Sequence, residues 1–300
     1  MGITAKSNLK GSVSYPSSQP PSRVQAGRVG LRGLGYLTLA SASLICIVPF
    51  YWMTVRATHT DPQMSVWPPP LWLGPSLAEN YNYILAHFPL WRNFLNSVFV
   101  AGSYTLLQLF LCSLVAYAFA FYRDAPGRNA LFAFCLATMM IPGTLNIIPF
   151  YILMSRLHWI NNFLSLIVPG AAPAFAIFWL HQFMRYSVPP ELLDASRMDG
   201  CSPFSTYWRI VIPLIGPGLA TQGTLSFLGS WNDFLTPLLM LTQKNLYTYT
   251  LMTYLLRADI SPHVSETELA VIIGTVPILI VFIVFSRSFM SGIMTGAIKG

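Results

Sequence analysis

Charged residues are scarce in this sequence. Only 9% of its 300 residues are Asp, Glu, Lys or Arg, whereas 54% are apolar and the mean hydropathy is +0.55. A soluble chain carries about 25% charged residues, which keep its surface hydrated. The composition therefore excludes an ordinary soluble protein. It predicts an all-α integral membrane protein, because helices satisfy their own backbone hydrogen bonds in lipid.

Motifs for catalysis and metal binding are also lacking. The chain has no Gly-Lys dipeptide, so it has no P-loop to bind and hydrolyse ATP, and it has no HExxH or GxSxG motif. Its five histidines are dispersed, which disfavours a metal site. Four cysteines lie far apart and are interpreted as small apolar fillers: Cys46, Cys112, Cys135 and Cys201. We expect no catalytic residue, and no metal or cofactor bound by this chain.

Long uncharged runs are present instead, and about 20 apolar residues are enough to cross a bilayer. They predict six transmembrane helices, at residues 33–55, 93–121, 129–150, 162–184, 213–238 and 268–287. Residues 33–300 then form one transmembrane domain. Residues 1–32 are rich in Ser, Pro and Gly and carry basic residues but no acid, which predicts a disordered, basic cytoplasmic tail.

The distribution of Lys and Arg predicts the orientation. With the N-terminus in the cytoplasm, twelve of the seventeen basic residues lie inside and five outside, in agreement with the positive-inside rule. Both termini and the 188–213 loop are then cytoplasmic. Since the basic residues are scattered, the net charge of +7 indicates no nucleic-acid partner, and membrane lipid is the expected surrounding.

Two features leave alternatives open. The predicted outer segment 56–92 is rich in Pro and Trp, and it is either an interfacial segment with rings among the headgroups or a tether. Prolines and glycines also occur inside predicted spans, among them Pro142-Gly143, Pro169 and Pro173. They indicate either packing kinks or hinges for alternating access.

The 188–213 loop is a polar stretch between apolar runs and holds three of the ten acidic residues. Pro189-Pro190 suit the start of a short helix, Gly200 suits its end, and Ser202-Pro203 suit the start of a second. Residues at helical spacing predict one aromatic face on that second helix: Phe204, Tyr207, Trp208 and Val211. By composition, the loop is either an amphipathic element on the membrane or a docking surface for a cytoplasmic partner.

The residue order in this loop resembles the EAA loop of permease subunits in bacterial ABC importers. Asp194, Ala195 and Ser196 fall on the Glu-Ala-Ala of the family pattern, and Gly200 falls on the Gly that follows after three further residues in that pattern. The Ile-x-Leu-Pro that follows is matched by residues 210–213. Asp in place of Glu keeps the charge, and Ser in place of Ala keeps the small size.

Two other segments resemble the carbohydrate-importing branch, in particular the maltose-type second permease. They are residues 226–238, with Trp-Asn-Asp-Phe, and residues 289–300, which end in Lys-Gly. The resemblance implies a type I importer fold in a bacterial inner membrane, a homologous second permease, two ATPase subunits that bind ATP and Mg, and an extracytoplasmic solute-binding protein. It also implies that the loop couples to the ATPase through Glu191, Asp194, Ala195, Ser196, Arg197, Asp199 and Gly200.

Polar residues within or at the end of the spans are candidates for a solute path: Asn146, Gln222, Thr224, Trp231, Asn232 and Asp233. An indole ring beside an amide suits a sugar. We therefore expect a permease subunit for a sugar or a related polyol or glycoside, although the partner permease is an alternative holder of the solute. An importer of another solute such as glycerol phosphate, a stand-alone channel and a membrane-embedded enzyme are the other hypotheses.

Overall fold

The computed structural model describes residues 22–258 and 263–297, with side chains from residue 35 to residue 286 except that of Thr144. In these ranges the chain is helical and contains no strand. The α-helices are α1 Ser22–Ala57, α2 Asp61–Met64, α3 Leu77–His87, α4 Leu90–Phe121, α5 Arg128–Thr138, α6 Ile147–Arg156, α7 Leu164–Ile167, α8 Ala174–Ser187, α9 Pro190–Met198, α10 Pro203–Thr206, α11 Ile212–Leu214, α12 Gly216–Asn232, α13 Leu235–Met240, α14 Tyr249–Arg257 and α15 Val264–Ala297. Short 3₁₀ helices cover Gly143–Asn146 and Lys244–Leu246, and a π-helical turn covers Tyr207–Val211.

The chain divides into two units, residues 1–51 and residues 52–300. The described part of the first unit is the N-terminal portion of α1, whose apolar side chains are exposed from Tyr36 to Phe50. The hydroxyls of Ser41 and Ser43 donate to carbonyls one turn earlier, so these polar groups are satisfied within the helix. This helix begins at Ser22 and so includes residues 22–32 of the predicted tail, while residues 1–21 lie outside the described part.

In the second unit, α4 packs against α8 on one side and α12 on another, and α12 also packs against α15. The largest buried cluster joins α4 and α8 to the 188–213 loop and includes Tyr117, Leu180, Leu193, Tyr207 and Val211. A second cluster joins α3, α4, α14 and the start of α15 around Tyr249. The long helix α4 therefore contributes to the core at both of its ends.

Three helices are long and apolar enough to cross a membrane: Gly35–Ala57, Leu90–Phe121 and Val264–Ser286. They cover the predicted spans 33–55, 93–121 and 268–287 closely. A fourth candidate is a bent pair, Pro203–Leu214 with Gly216–Asn232, whose parts meet at 79°. These statements refer to the described residues, and the total of six crossings stays a prediction.

The predicted spans 129–150 and 162–184 are not continuous helices. The first is divided into α5, a 3₁₀ turn and α6 near Pro142-Gly143. The second is divided into α7 and α8 by the stretch that contains Pro169 and Pro173. Proline removes a backbone N–H and clashes with the preceding turn, and glycine weakens a helix. The proline-glycine pairs thus divide each of these two predicted spans into separate helices, whereas the sequence indicated only kinks or hinges within a span.

The segment between α1 and α4 folds against its neighbours. The Asp61 carboxylate accepts hydrogen bonds from the backbone N–H groups of Val264 and Ser265, each at 2.9 Å, and from the Ser265 hydroxyl at 2.8 Å. Asp61 therefore caps the N-terminus of α15 from a distant part of the chain. Trp67 and Trp72 nevertheless stay largely exposed, which fits rings at a membrane interface, and the choice between an interfacial segment and a tether stays a prediction.

A close helix contact generates a test of this packing. A Cβ atom on Gly274 of α15 would lie 2.6 Å from Cε1 of the Tyr249 ring on α14. That ring is buried, and its hydroxyl donates to the Ala270 carbonyl at 2.7 Å, so it cannot retreat freely. We expect Gly274→Ala to lower the free energy of unfolding by about 1–3 kcal/mol, measured by thermal unfolding in detergent.

The matched control is Gly102→Ala on α4, where an added Cβ would meet nothing within 4 Å. Alanine is the better helix former, so this variant should be as stable as the parent or slightly more stable. Equal unfolding temperatures for the two variants would contradict the close packing of α14 on α15.

Candidate functional site

The 188–213 loop forms the two short helices that its sequence predicts. The first, α9, ends with Asp199 as C-cap and Gly200 at φ +75°, in the left-handed region. The Cys201 N–H donates to the Ser196 carbonyl at 2.9 Å, and the Gly200 N–H donates to the Arg197 carbonyl at 3.1 Å. This pair of bonds is a Schellman motif, in which glycine occupies the left-handed position without a steric penalty.

The second short helix is held against the first. The Ser202 hydroxyl oxygen accepts from the Ser205 N–H at 3.3 Å, as an N-cap residue does. The Ser196 hydroxyl donates to the Leu193 carbonyl at 2.8 Å and lies 3.1 Å from the Thr206 hydroxyl, within hydrogen-bond distance. Ser196 is 3% exposed. Of the seven residues predicted to contact an ATPase, Ser196 is the one that points inward, because it joins the two helices.

The other predicted contact residues of the loop are exposed: Glu191, Asp194, Ala195, Arg197, Asp199 and Gly200. Asp194 and Arg197 form an ion pair of 3.2 Å on this face, which contributes at most about 1 kcal/mol because both groups are hydrated. Two apolar side chains on the same helix were missed, namely Met198, which is 88% exposed, and Leu192. The sequence could have indicated both residues, because each is an apolar residue directly beside an acidic one on a short polar helix.

The loop is fixed to the core through α4. The hydroxyls of Ser113 and Tyr207 share a hydrogen bond of 2.7 Å, and the Tyr117 hydroxyl donates to the Pro203 carbonyl at 3.2 Å. Tyr207 and Val211 are buried, whereas Phe204 and Trp208 are exposed. The predicted single aromatic face is therefore wrong. The π-helical turn over Tyr207–Val211 departs from the helical spacing on which that prediction depended.

A large cavity of about 1100 Å³ lies among α4, α12 and the broken helices. Its wall includes four of the six residues predicted for the solute path: Asn146, Gln222, Asn232 and Asp233. The divided helices contribute irregular backbone at Gly143, Pro169 and Gly170. Non-helical backbone is tolerated at membrane depth where it lines a cavity, because polar groups find partners there.

Thr224 and Trp231 do not line the large cavity, whereas Trp231 lines a second, smaller pocket beside α14, so a place on the solute path stays a prediction for both residues. The Thr224 side chain is buried, and its hydroxyl donates to the Ala220 carbonyl at 2.8 Å. Trp231 is also buried, its ring stacked on Phe227 at 5.8 Å and edge-on to Phe94 at 5.7 Å. Its indole is thus a core side chain with neighbours on several sides.

The cavity wall also contains polar residues that the sequence reasoning missed: Tyr104, Gln108, Ser165, Ser226, Ser230 and Thr236. Gln108 and Gln222 are each 3% exposed, and the side-chain oxygen Oε1 of each accepts no hydrogen bond. A buried, unpaired amide oxygen costs about 1–3 kcal/mol. An amide in the middle of an apolar span was the signal that could have identified Gln108.

Charge on this wall is confined to one group. Of the described residues that line the large cavity, Asp233 alone is charged, and one of its oxygens accepts from the Thr236 N–H at 3.2 Å. No three His, Cys, Asp or Glu side chains in the described part of the chain lie together as metal ligands would. The wall therefore presents amides and hydroxyls, which recognise a neutral polar solute by hydrogen bonds.

Apolar helices around a cavity that presents amides and hydroxyls, together with an exposed polar loop of two short helices, are typical of a membrane transport subunit. Residues 109–292 match the family described as the inner-membrane component of binding-protein-dependent transport systems, and the chain belongs to that family. It is a multi-pass membrane protein of ABC transporter permease type.

Two relatives carry the names of sugar transporters. The chain is 34% identical over 226 residues to the arabinooligosaccharides transport system permease protein AraQ of Halalkalibacterium halodurans. The matched residues cover 74% of this chain and 79% of AraQ. It is 30% identical over 264 residues to the lactose transport system permease protein LacG of Rhizobium radiobacter. The matched residues cover 88% of this chain and 95% of LacG.

A third relative and a solved structure complete the comparison. The chain is 29% identical over 275 residues to the sn-glycerol-3-phosphate transport system permease protein UgpE of Salmonella typhi, covering 89% and 97% of the two chains. A crystal structure of a bacterial ABC transporter involved in the import of the acidic polysaccharide alginate matches with a TM-score of 0.72 at 20% identity, over 88% of this chain and 98% of that chain. This likeness shows the fold, which is that of a type I ABC importer permease.

The inward position of Ser196 generates a test. Ser196→Ala removes the partner of the buried Thr206 hydroxyl, so we expect the contact between α9 and α10 to weaken by about 1–3 kcal/mol. Hydrogen exchange should then be faster at backbone amides of residues 199–207. Ser205→Ala is the control, because Ser205 supports the cap through its backbone N–H alone. Unchanged exchange in Ser196→Ala would contradict the structural role.

Proposed function

We propose that this chain is a non-catalytic permease subunit of an ATP-driven importer that translocates a neutral sugar or oligosaccharide. The observation that carries the proposal is the wall of the large cavity, which presents amides and hydroxyls among apolar residues and has no cationic residue among its described members. The volume of about 1100 Å³ exceeds the roughly 300–1,000 Å³ of most small-molecule pockets, so it accommodates more than one sugar ring. The names of the AraQ and LacG relatives support the same class of solute.

The wall also argues against glycerol phosphate, the solute in the name of the UgpE relative. Proteins bind phosphate with Arg, Lys or helix N-termini, because the anion needs positive charge and several N–H donors. The first residue of α8, Ala174, lies on the wall and supplies a helix N-terminus, but the described wall has no Arg or Lys, and its one charged group is the Asp233 carboxylate, which repels an anion. Amides of Gln108, Gln222 and Asn232 on the wall suit solute hydroxyl groups, because an amide both donates and accepts hydrogen bonds.

The 188–213 loop is proposed to couple this chain to the ATPase. The exposed face with Glu191, Asp194, Arg197 and Asp199 offers charges for recognition, and Met198 offers an apolar side chain to bury. ATP and Mg bind on two ATPase subunits, so closure of that pair moves the loop and the helices bonded to it. The proposed assembly also contains a homologous second permease and an extracytoplasmic binding protein that delivers the solute.

The proposed orientation follows from the basic residues, with both termini and the 188–213 loop in the cytoplasm of a bacterial cell. A stand-alone channel has no need of a rigid two-helix loop with an exposed docking face, and a membrane enzyme has no use for a cavity with one charged side chain. Co-purification with an ATPase subunit separates these functions. Conductance by the isolated chain without ATP would instead support the channel.

The coupling role generates a prediction with a matched control. Gly200 and Gly127 both have a left-handed backbone, at φ +75° and +76°, and both open onto space within this chain. Aspartate tolerates this conformation. We expect Gly200→Asp to abolish uptake while the protein stays in the membrane, because a new carboxylate then stands on the docking face. Gly127→Asp should transport normally, and normal uptake by Gly200→Asp would remove the coupling assignment.

The solute path generates a second prediction on one helix. Gln222→Leu removes an amide from the wall of the large cavity, so the apparent KM for sugar uptake should rise about threefold to tenfold, as loss of one hydrogen bond implies. Thr224→Val, two residues away but off the wall, should leave the KM unchanged. Competition completes the measurement: excess sn-glycerol 3-phosphate should not inhibit uptake, and strong inhibition would contradict a neutral solute.

A further inference from the structure

A second, smaller pocket of about 310 Å³ lies among α12, α14 and α15. Its wall meets that of the large cavity at Asn232, which lines both. We infer that this small pocket is an outer subsite that binds one sugar ring before the solute reaches the large cavity, an inference that rests on the proposed function. Its volume is at the lower end of the range for small-ligand pockets, about 300–1,000 Å³.

The hydroxyl groups in the small pocket act as hydrogen-bond acceptors. Thr253, Thr267 and Thr275 each donate their hydroxyl proton to a backbone carbonyl four residues earlier, at 2.9, 2.6 and 2.8 Å. The Thr250 hydroxyl donates to the Trp231 carbonyl. A hydroxyl that has used its proton still has a lone pair with which to accept a bond. The pocket therefore offers four acceptors to a ligand that brings donors, as sugar hydroxyls do.

Donors and an aromatic surface stand beside these acceptors. The Asn232 amide and the exposed Arg257 guanidinium both line the pocket and supply N–H groups. The rings of Phe234 and Tyr254 stack on each other at 4.9 Å, and both rings are more than one third exposed. Acceptors, donors and an apolar ring face together match a sugar, which has hydroxyls at its edge and C–H groups on its face.

The same set of groups disfavours other occupants. A phosphate could pair with the Arg257 guanidinium, but it brings acceptors and few protons, so the four acceptor hydroxyls would stay unmatched. A lipid chain would leave the amide and the guanidinium without hydrogen bonds, at a free-energy cost. In the proposed orientation α14 lies on the outer side, between the predicted spans 213–238 and 268–287, so a solute released by the binding protein meets this pocket before the large cavity.

Cysteine protection in the assembled transporter tests the subsite. In a chain whose four cysteines are replaced by Ser, Thr253→Cys reports on the small pocket and Ser230→Cys on the large cavity. Both are labelled with a water-soluble, uncharged maleimide, with and without arabinotriose or lactose, whichever the transporter takes up. At about ten times the Kd, bound sugar should slow labelling of both cysteines by about tenfold, because few sites are then empty.

The outcomes separate the two levels of the argument. Protection of Ser230→Cys alone would overturn the outer subsite and leave the proposed function standing. Protection of Thr253→Cys alone would support the subsite and contradict the sugar path through the large cavity. A Thr253→Cys that is never labelled would show that a partner subunit covers the pocket, which overturns the inference. If the transporter takes up neither sugar, that result contradicts both the proposed function and the subsite.

Uptake kinetics provide an independent readout that does not depend on a cysteine. Thr253→Val keeps the shape of the side chain and removes one acceptor, so the KM should rise about threefold while kcat changes little. Thr221→Val is the matched control, because the Thr221 hydroxyl also donates to a carbonyl four residues earlier and lines neither cavity. A KM equal to that of the control would overturn the subsite.

Discussion

Every backbone N–H and C=O group within a bilayer must find a partner in the protein, because lipid offers none. Continuous helices such as α4 meet this requirement along their whole length, and hydroxyl groups such as those of Ser41 and Ser43 are satisfied by the preceding turn. The divided helices cannot meet it alone. Their irregular backbone at Gly143, Pro169 and Gly170 lies on the large cavity, where polar side chains are available.

The proposed solute path therefore lies where the helices are interrupted. The prolines that interrupt the predicted spans 129–150 and 162–184 also open the space that a solute can occupy. Around that space the protein keeps amides and hydroxyls and one carboxylate, and no described cation. Charge is scarce in the sequence as a whole because most of the surface faces lipid. In the cavity the same scarcity has a second effect, since it makes hydrogen bonds and shape the means of selecting a solute.

Local signals in the sequence predicted local structure well. Pro190, Gly200 and Ser202 were enough to place both helices of the 188–213 loop, because caps and left-handed glycines act over a single turn. Uncharged runs identified the apolar segments but not their breaks. The direction of Ser196, the core position of Trp231 and the place of Gln108 on the cavity wall depend on which helices become neighbours, and no pattern within one segment contains that information.

The bonds from Ser113 and Tyr117 to the 188–213 loop have a thermodynamic consequence. Ser113 and Tyr117 lie on the same uninterrupted helix as Gln108, about 8 Å and about 14 Å further along at 1.5 Å per residue, and that helix contains no proline. The loop is therefore bonded to the same rigid helical rod, α4, that carries Gln108 on the cavity wall. If the rod shifts between two positions, a partner on the loop and a solute in the cavity bias one equilibrium, and linkage makes their effects equal and mutual. The solute then reports its presence to the ATPase by the same free energy with which the ATPase alters the affinity for the solute.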